Sequence, residues 1–152
     1  MILKNHGWTF LDFLSIEEKE LHRFHPIAGS FAVIICEGKI LLCYNSWREQ
    51  WEIPAGKREQ NETAAECALR ELYEETGQIP AKLTFQGLMK VKKADGTLKY
   101  NPIFIGSLKE LQTFKENEET SEIMLWDREE GIGVIDEVDY RLLQTLENQF
   151  TR

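Results

Sequence analysis

The segment from Gly56 to Gly77 limits what this chain can fold into more than any other part of it. Its sequence is GKREQNETAAECALRELYEETG. Small and apolar residues recur in it at helical spacing and predict one buried stripe, made of Ala65, Ala68, Leu69, Leu72 and Thr76. We expect a helix over residues 61–76 that ends at Gly77, because glycine readily adopts the left-handed conformation that closes helices.

Glu71, Glu74 and Glu75 lie together on one flank of this predicted helix. Residues three and four positions apart face the same side, so the three carboxylates stack and repel one another by about a few tenths of a kcal/mol per pair. The helix dipole also disfavours anions in the last turns. An acidic helix end in solvent is one interpretation. The other is a site for Mg²⁺, which prefers oxygen ligands and would remove the repulsion.

Short apolar runs dominate the rest of the chain. They predict strands at 31–36, 39–44, 51–53, 83–92, 98–108 and 123–126, with hairpin turns at Glu37-Gly38 and at 94–96. Further helices are predicted at 15–25 and at 137–149, the second capped by Asp136 and burying Val138, Leu142, Leu143 and Leu146. Since no regular strand–helix–strand repeat is visible, we predict an α+β fold with a mixed sheet between helices.

Composition narrows the class of protein. The chain has 152 residues and a formal net charge of −8; this favours a single domain, 1–152, and argues against extended contact with nucleic acid. Apolar runs fall well short of the roughly 20 residues that span a membrane, and the first residues lack a signal-peptide pattern. We therefore expect a cytoplasmic protein with no membrane contact. The three cysteines form no CxxC pair, so neither a disulfide framework nor a zinc site is expected.

The spacing of the whole segment resembles the Nudix box. Gly56 is followed after five residues by Glu62, and after seven more by Arg70-Glu71-Leu72-Tyr73-Glu74-Glu75-Thr76-Gly77. Every fixed position of that motif matches in residue type and spacing. The final apolar position departs from it, because Gln78 stands there. We expect Ile79 to take over its packing role.

This resemblance implies a Nudix fold, a mixed β-sheet sandwiched between α-helices. It also implies that the metal, Mg²⁺ or alternatively Mn²⁺, is bound by the Gly56 carbonyl and by Glu71, Glu74 and Glu75. Arg70 is expected to orient the carboxylates, and Glu62 to brace the loop against the helix. The reaction implied is the attack of water on a phosphorus of a diphosphate linkage.

The general base is left open by the sequence. In similar proteins it comes from the box or from a later loop. Glu75 is the candidate within the box. Glu119 and Glu122, in the acidic segment 115–122, are the candidates outside it.

Substrate contacts are expected from residues on both sides of Gly56. Aromatic faces stack on bases, and Arg or Lys binds phosphates. The candidates are Trp47, Arg48, Lys57 and Arg58. Trp51 is instead expected to belong to the core.

A small nucleotide-like molecule is the expected partner, but several substrates fit. The chain resembles MutT-like enzymes that act on nucleoside triphosphates, including oxidised ones such as 8-oxo-dGTP. The segment 53–57 looks like ADP-ribose or nucleotide-sugar pyrophosphatases, yet Lys92 and Lys93 stand where those carry a proline. An RNA 5′ pyrophosphohydrolase is a further alternative. The oligomeric state is left open.

Two alternatives belong to other functional classes. A Nudix-fold nucleotide-binding module without catalysis is one, although such modules usually lose box carboxylates that this chain retains. A prenyl diphosphate isomerase is the other, with Cys67 as its additional acid–base group. We expect Cys67 to be only a small packing residue on the helix.

Overall fold

The computed structural model describes residues 1–150 of the chain. Residues 151 and 152, which the predicted domain 1–152 includes, lie outside the described residues. Within the described part, no helix is both long enough and apolar enough to cross a lipid bilayer.

One mixed sheet organises the fold. Its strands are β1 (Ile2–Lys4), β2 (Trp8–Leu14), β3 (Ser30–Cys36), β4 (Lys39–Asn45), β5 (Gln50–Glu52), β6 (Ala55–Gly56), β7 (Thr84–Lys93), β8 (Leu98–Leu108), β9 (Thr120–Trp126) and β10 (Val134–Asp136). They run in the order β1-β10-β5-β4-β3-β8-β7-β2, with β6 paired to β3 and β9 to β4. The pairs β3–β8, β1–β10 and β10–β5 are parallel, and the others are antiparallel.

Both predicted hairpins are confirmed. Glu37 and Gly38, between β3 and β4, have φ angles of 55° and 75°. Two consecutive positive φ angles give a tight turn whose twist matches the strands beside it. The turn between β7 and β8 contains Gly96 at φ 92°. The sheet extends beyond the predicted strands, because β1, β2, β6 and β10 were not expected.

The helix of the acidic segment, α1 (Ala64–Thr76), begins later than predicted. Thr63 is its N-cap: its hydroxyl accepts from the Glu66 N–H at 3.1 Å, and Glu66 Oε1 accepts from the Thr63 N–H at 2.9 Å. This reciprocal pair satisfies two N–H groups at the helix start and keeps residues 61–63 out of the helix. Gly77, at φ 78°, ends the helix as predicted.

One face of the sheet packs against α1, and this helix buries Ala68, Leu72 and Thr76 as predicted but not the whole predicted stripe. Ala64, Ala68 and Leu72 join Ala32, Ile34, Leu41 and Phe104 in a core cluster. Leu69 was expected in that stripe but is 41% exposed, whereas Cys67 and Glu75 are buried. The buried arc is centred on the line through Ala64, Ala68 and Leu72, and Leu69 lies about 100° round the helix from Ala68.

The opposite face packs against α2 (Glu137–Thr145). Asp136 caps it as predicted, since its side chain accepts from the Asp139 N–H at 3.0 Å. Leu142, Leu143 and Leu146 are buried as predicted, in a core cluster with Val33, Leu42, Trp51, Met89 and Ile135. The helix is shorter than predicted and is followed by a 3-10 helix, Glu147–Gln149. With helices on both faces, the predicted α+β sandwich is confirmed.

Two further local predictions were wrong. The segment 15–25 contains a 3-10 helix, Glu18–Arg23, and no α-helix. Ile79 is 54% exposed, whereas Gln78 is fully buried. Gln78 replaces an apolar residue because its amide is satisfied: Nε2 donates to the Gln112 carbonyl at 2.9 Å, and Oε1 accepts from the Gln112 N–H at 2.8 Å.

The substitution Leu72→Ala should lower the free energy of unfolding by about 2–5 kcal/mol, because it opens a cavity beneath α1. Leu69→Ala removes the same atoms from the exposed side of the helix and should cost less than about 1 kcal/mol. Urea denaturation followed by circular dichroism measures both. Equal losses would show that α1 buries the stripe expected from its periodicity alone.

Candidate active site

The side chain of Arg70 lies at the centre of the acidic cluster. Its Nε donates to Glu62 Oε2 at 2.6 Å and lies 2.8 Å from Glu59 Oε1. Its Nη1 donates to Glu71 Oε1 at 2.8 Å and to Glu74 Oε2 at 3.2 Å. One guanidinium therefore contacts four carboxylates. These contacts, the Glu62 hydrogen bonds first, raise the pKa of Arg70.

The loop before α1 is tied to the helix through the same guanidinium. Arg70 Nη2 donates to the Lys57 carbonyl at 2.9 Å and to Glu62 Oε1 at 3.0 Å. Glu62 Oε1 also accepts from the Glu59 N–H at 3.0 Å. The hydrogen bonds from Arg70, with that from Glu59 next, lower the pKa of Glu62 to about 2. An ionised Glu62 thus connects loop and helix.

Gly56 brings the backbone of this loop against the Glu71 carboxylate. A Cβ atom at position 56 would overlap that carboxylate, so the close approach requires glycine. The Gly56 carbonyl accepts a hydrogen bond from Cys67 Sγ at 3.2 Å, and Cys67 is fully buried. The Gly56 backbone and the first carboxylate of the expected ligand set therefore lie side by side.

Glu75 is the buried carboxyl group of the cluster, with only 5% of its surface exposed. Its Oε1 accepts from the Ala55 N–H at 3.2 Å, and its Oε2 accepts from Cys43 Sγ at 3.5 Å. Burial, followed by the charges of Glu119 and Glu71, raises its pKa to about 9. An ionised Glu75 therefore needs a cation close to it. A carboxylate at a helix end in solvent has no such need, so the burial of Glu75 argues against that interpretation of the cluster.

Glu119 is the candidate outside the box that the structure brings to Glu75. Asn45 Nδ2 donates to Glu119 Oε1 and to Glu52 Oε1, both at 3.1 Å. Asn117 fixes the same loop on the end of α1, because its Nδ2 donates to the carbonyls of Glu74 and Glu75 at 2.9 and 3.2 Å. Burial and then the charge of Glu52 raise the pKa of Glu119.

Glu122 lies on the other side of the sheet. Along β9 it alternates in phase with Met124 and Trp126, which pack in the core cluster on the α2 face. Glu75 and α1 lie on the opposite face. The structure thus brings Glu119, but not Glu122, to the box carboxylates.

The residues at the cluster fit a hard divalent cation. Gly56, Glu71, Glu75 and Glu119 offer only oxygen donors. Among residues 1–150, no three His, Cys, Asp or Glu side chains lie close enough together to hold a metal ion. Glu71 and Glu74 instead each accept a hydrogen bond from Arg70. Glu74 has a side chain that is 56% exposed, so its rotation towards a cation meets little packing.

A cavity of about 320 Å³ opens beside Gly56 on the α2 face of the sheet. Its wall combines apolar side chains with cations and carboxylates: Trp8, Phe31, Met89, Val91, Arg48, Lys57, Lys99, Glu52, Asp136 and Asp139. Of the four expected substrate contacts, Arg48 and Lys57 line it. Trp47, which is 68% exposed, and Arg58 lie outside that wall.

Sequence reasoning missed most of this wall. Trp8 and Phe10 alternate with polar Thr9 in β2, a strand pattern that was overlooked. Met89 and Lys99 come from the β7–β8 hairpin, which was predicted without assigning its faces. Only their pairing in the sheet brings these residues beside Gly56.

Comparison with models of known families shows to which family this chain belongs. The model of the NUDIX domain matches residues 26–148, most of the chain. The chain belongs to the Nudix family. It is accordingly a hydrolase that acts on phosphorus-containing anhydrides. No curated protein is similar enough to count as a match.

Solved structures support the fold. The MutT protein from Methanosarcina mazei Go1 aligns with a TM-score of 0.68 at 20% identity, over 84% of this chain and 97% of its own. The Bacillus subtilis pyrophosphohydrolase BsRppH, in a mutant form, gives 0.67 at 19% identity, over 92% and 86%. The NUDIX domain of Shewanella oneidensis NrtR, complexed with ADP ribose, gives 0.68 at 16% identity, over 88% and 98%.

The substitution Arg70→Lys should lower both the melting temperature and Mg²⁺-dependent turnover, the latter on the order of tenfold or more. A single ammonium cannot contact four carboxylates in the way a planar guanidinium does. Thermal unfolding and steady-state kinetics measure the two effects. Arg141→Lys, on the exposed face of α2, is the matched control and should change neither. A melting temperature equal to that of the wild type would contradict a central role for the guanidinium.

Proposed function

We propose that this protein is a Mg²⁺-dependent pyrophosphohydrolase that cleaves a diphosphate linkage in a nucleoside triphosphate. The observation that carries the proposal is the buried Glu75 carboxyl, whose pKa is raised by burial and by the charges of Glu119 and Glu71, and which accepts a hydrogen bond from Ala55 in the cavity wall. A divalent cation compensates the burial of that charge, and the cavity provides the space for the rest of a substrate. Mn²⁺ has the same preference for oxygen ligands and is the alternative metal.

The residues of the cluster have separate roles in this reaction. Gly56, Glu71, Glu74 and Glu75 would hold the metal. When bound, it would neutralise the phosphate oxygens and lower the pKa of the attacking water. Arg70 and Glu62 hold the loop and the helix at a fixed separation. Glu119 is the candidate that accepts the proton of the water, because Asn45 orients its carboxylate and burial raises its pKa.

The cavity supports a nucleotide-like substrate. Its volume of about 320 Å³ is at the lower end of small-molecule pockets, which begin near roughly 300 Å³. Apolar Phe31, Met89 and Val91 suit a base, and Arg48 and Lys57 suit phosphates. Oxidised nucleotides such as 8-oxo-dGTP are candidates within this substrate class because of the resemblance to MutT-like enzymes, and the MutT protein from Methanosarcina mazei Go1 shares the fold.

Two other substrates are alternatives. The NrtR domain was solved with ADP ribose, which favours ADP-ribose or a nucleotide sugar as the second candidate. The 5′ end of an RNA follows from the family resemblance alone, and the pyrophosphohydrolase BsRppH shares the fold. The net charge of −8 argues against extended contact along such an RNA.

The substitution Glu75→Gln should reduce turnover by at least about a hundredfold, because an amide binds Mg²⁺ far less well than a carboxylate. The fold should persist, since the amide has the same shape and its oxygen can accept from the Ala55 N–H. Steady-state kinetics and circular dichroism measure the two properties. Unchanged activity at saturating Mg²⁺ would refute the metal-ligand role.

Glu119→Gln and Glu122→Gln separate the two candidate bases outside the box. The first should lower kcat by about a hundredfold or more, the lower range for loss of a general base. The second should alter kcat by less than about threefold, because Glu122 lies on the face of the sheet opposite the box carboxylates. Their pH–rate profiles complete the test. The reverse ranking would reject Glu119 as the base.

A hydrolysis panel with identified products tests the proposed reaction itself. It comprises canonical and oxidised nucleoside triphosphates, ADP-ribose, nucleotide sugars, dinucleoside polyphosphates and triphosphorylated RNA, each with Mg²⁺ and with EDTA. Release of pyrophosphate and a nucleoside monophosphate supports the proposal. Failure across the panel would favour the binding module, and isomerisation of a prenyl diphosphate would favour the isomerase.

A further inference from the structure

Two lysines of the β7–β8 hairpin gather on the ring of Trp8. The ammonium of Lys99 lies 4.3 Å from the ring centroid, and that of Lys93 lies 5.6 Å from it. Lys93 pairs with Trp8 in the sheet, and Lys99 pairs with Val91. Since Val91 also lines the cavity, this cationic group belongs to the cavity side of the hairpin.

The charges that act on Lys99 are cationic. Lys99 is half-buried, and burial, Lys57 and then Lys93 lower its pKa. The cavity carboxylates are engaged elsewhere. Glu52 accepts from Asn45, Arg48 and Gln50, and Asp139 accepts from the Ile53 N–H at 2.8 Å. Three lysines thus approach one another in a chain whose net charge is −8.

An anionic ligand accounts for this arrangement better than a stacked base does. Partial burial of one ammonium beside two others is unfavourable, and the attraction of the Trp8 ring offsets only part of the cost. A cluster that breaks this rule without a compensating carboxylate indicates a functional site. The ring of Trp8 is already covered by ammonium groups, so a base stacks less well there than on apolar Met89 and Val91.

We propose that Lys99, held on the Trp8 ring beside Lys57 and Lys93, forms a subsite for a phosphate group on the cavity side of the anhydride that is cut. This inference rests on the proposed function and extends it. The scissile linkage lies over the carboxylates. The phosphate that stays with the nucleoside lies over the lysines. Gly56 and Lys57 are adjacent in the chain and mark the boundary between the carboxylate part and the lysine part of the site.

Anion binding without metal tests the subsite independently of catalysis. Isothermal titration of the whole protein with inorganic pyrophosphate in EDTA isolates the lysines, because the carboxylates then repel the probe. We expect measurable binding by the wild type and a loss of about tenfold or more in Lys99→Gln, as expected for a charge-assisted contact. Lys99→Arg keeps the charge and the ring contact and should retain most of the affinity.

The matched control is Lys92→Gln, which removes the same charge from the same β7–β8 hairpin. Lys92 is exposed and alternates out of phase with Val91, so it points away from the cavity. It should bind pyrophosphate as the wild type does. Equal losses in Lys92→Gln and Lys99→Gln would indicate a nonspecific charge effect and overturn the proposal, as would undiminished binding by Lys99→Gln.

Kinetics on the substrate identified by the panel complete the test. Lys99→Gln should raise KM by about tenfold and change kcat by less than about threefold. The reason is that Lys99 contacts the phosphate equally in the bound substrate and in the transition state. A fall in kcat with an unchanged KM would overturn the subsite. Loss of pyrophosphate binding in Lys99→Gln, with no hydrolysis by the wild type, would leave the subsite standing and reject the proposed function alone.

Discussion

The contact of one guanidinium with four carboxylates holds the acidic site together. Arg70 joins Glu62 of the loop to Glu71 and Glu74 of α1. Without this cation, repulsion within the last turns of the helix would add to an unfavourable helix dipole. The loop also carries Gly56, so the same ion pairs hold the Gly56 backbone close to the Glu71 carboxylate. The geometry of the site thus depends on charge, whereas the helix beneath it depends on apolar packing.

The largest electrostatic cost of the site is concentrated at Glu75. Its neighbours Ala55 and Cys43 provide two long hydrogen bonds, which do not compensate for the loss of water around an ionised carboxylate. Two further carboxylates, Glu71 and Glu119, raise its pKa in addition. Without a cation, the raised pKa keeps Glu75 protonated and neutral at neutral pH. Protonation of Glu75 and the ion pairs of Arg70 thus make a cluster that is unfavourable by local rules compatible with the fold.

The parts of the site that depend on local spacing were predictable. Gly56, Glu62 and the carboxylates of α1 follow from one continuous segment, and so does the end of the helix at Gly77. Burial was less predictable, because tertiary contacts decide it. Gln78 is buried only because Gln112, distant in the sequence, satisfies its amide.

Strand pairing decides where Glu119 and Glu122 lie and which residues form the cavity wall. A single sequence gives weak information about strand pairing. Glu119 lies in the loop before β9, which Asn45 and Asn117 hold in place, whereas Glu122 lies within β9 in phase with Met124 and Trp126. The acidic segment 115–122 shows no such difference in its sequence alone. The cavity wall has the same origin, because Trp8 and Lys99 meet only through the register of β2, β7 and β8.

The amide of Asn45 has a consequence for how this enzyme can evolve. It donates to Glu119, the proposed base, and to Glu52, in the wall of the cavity. In the proposed reaction, recognition and chemistry share one side chain and are not separate modules. A mutation that reshapes the wall at Glu52 also displaces Glu119, so a new specificity arises here only together with compensating changes on the catalytic side. Such a scaffold favours diversification through paired substitutions and resists the gradual accumulation of single ones.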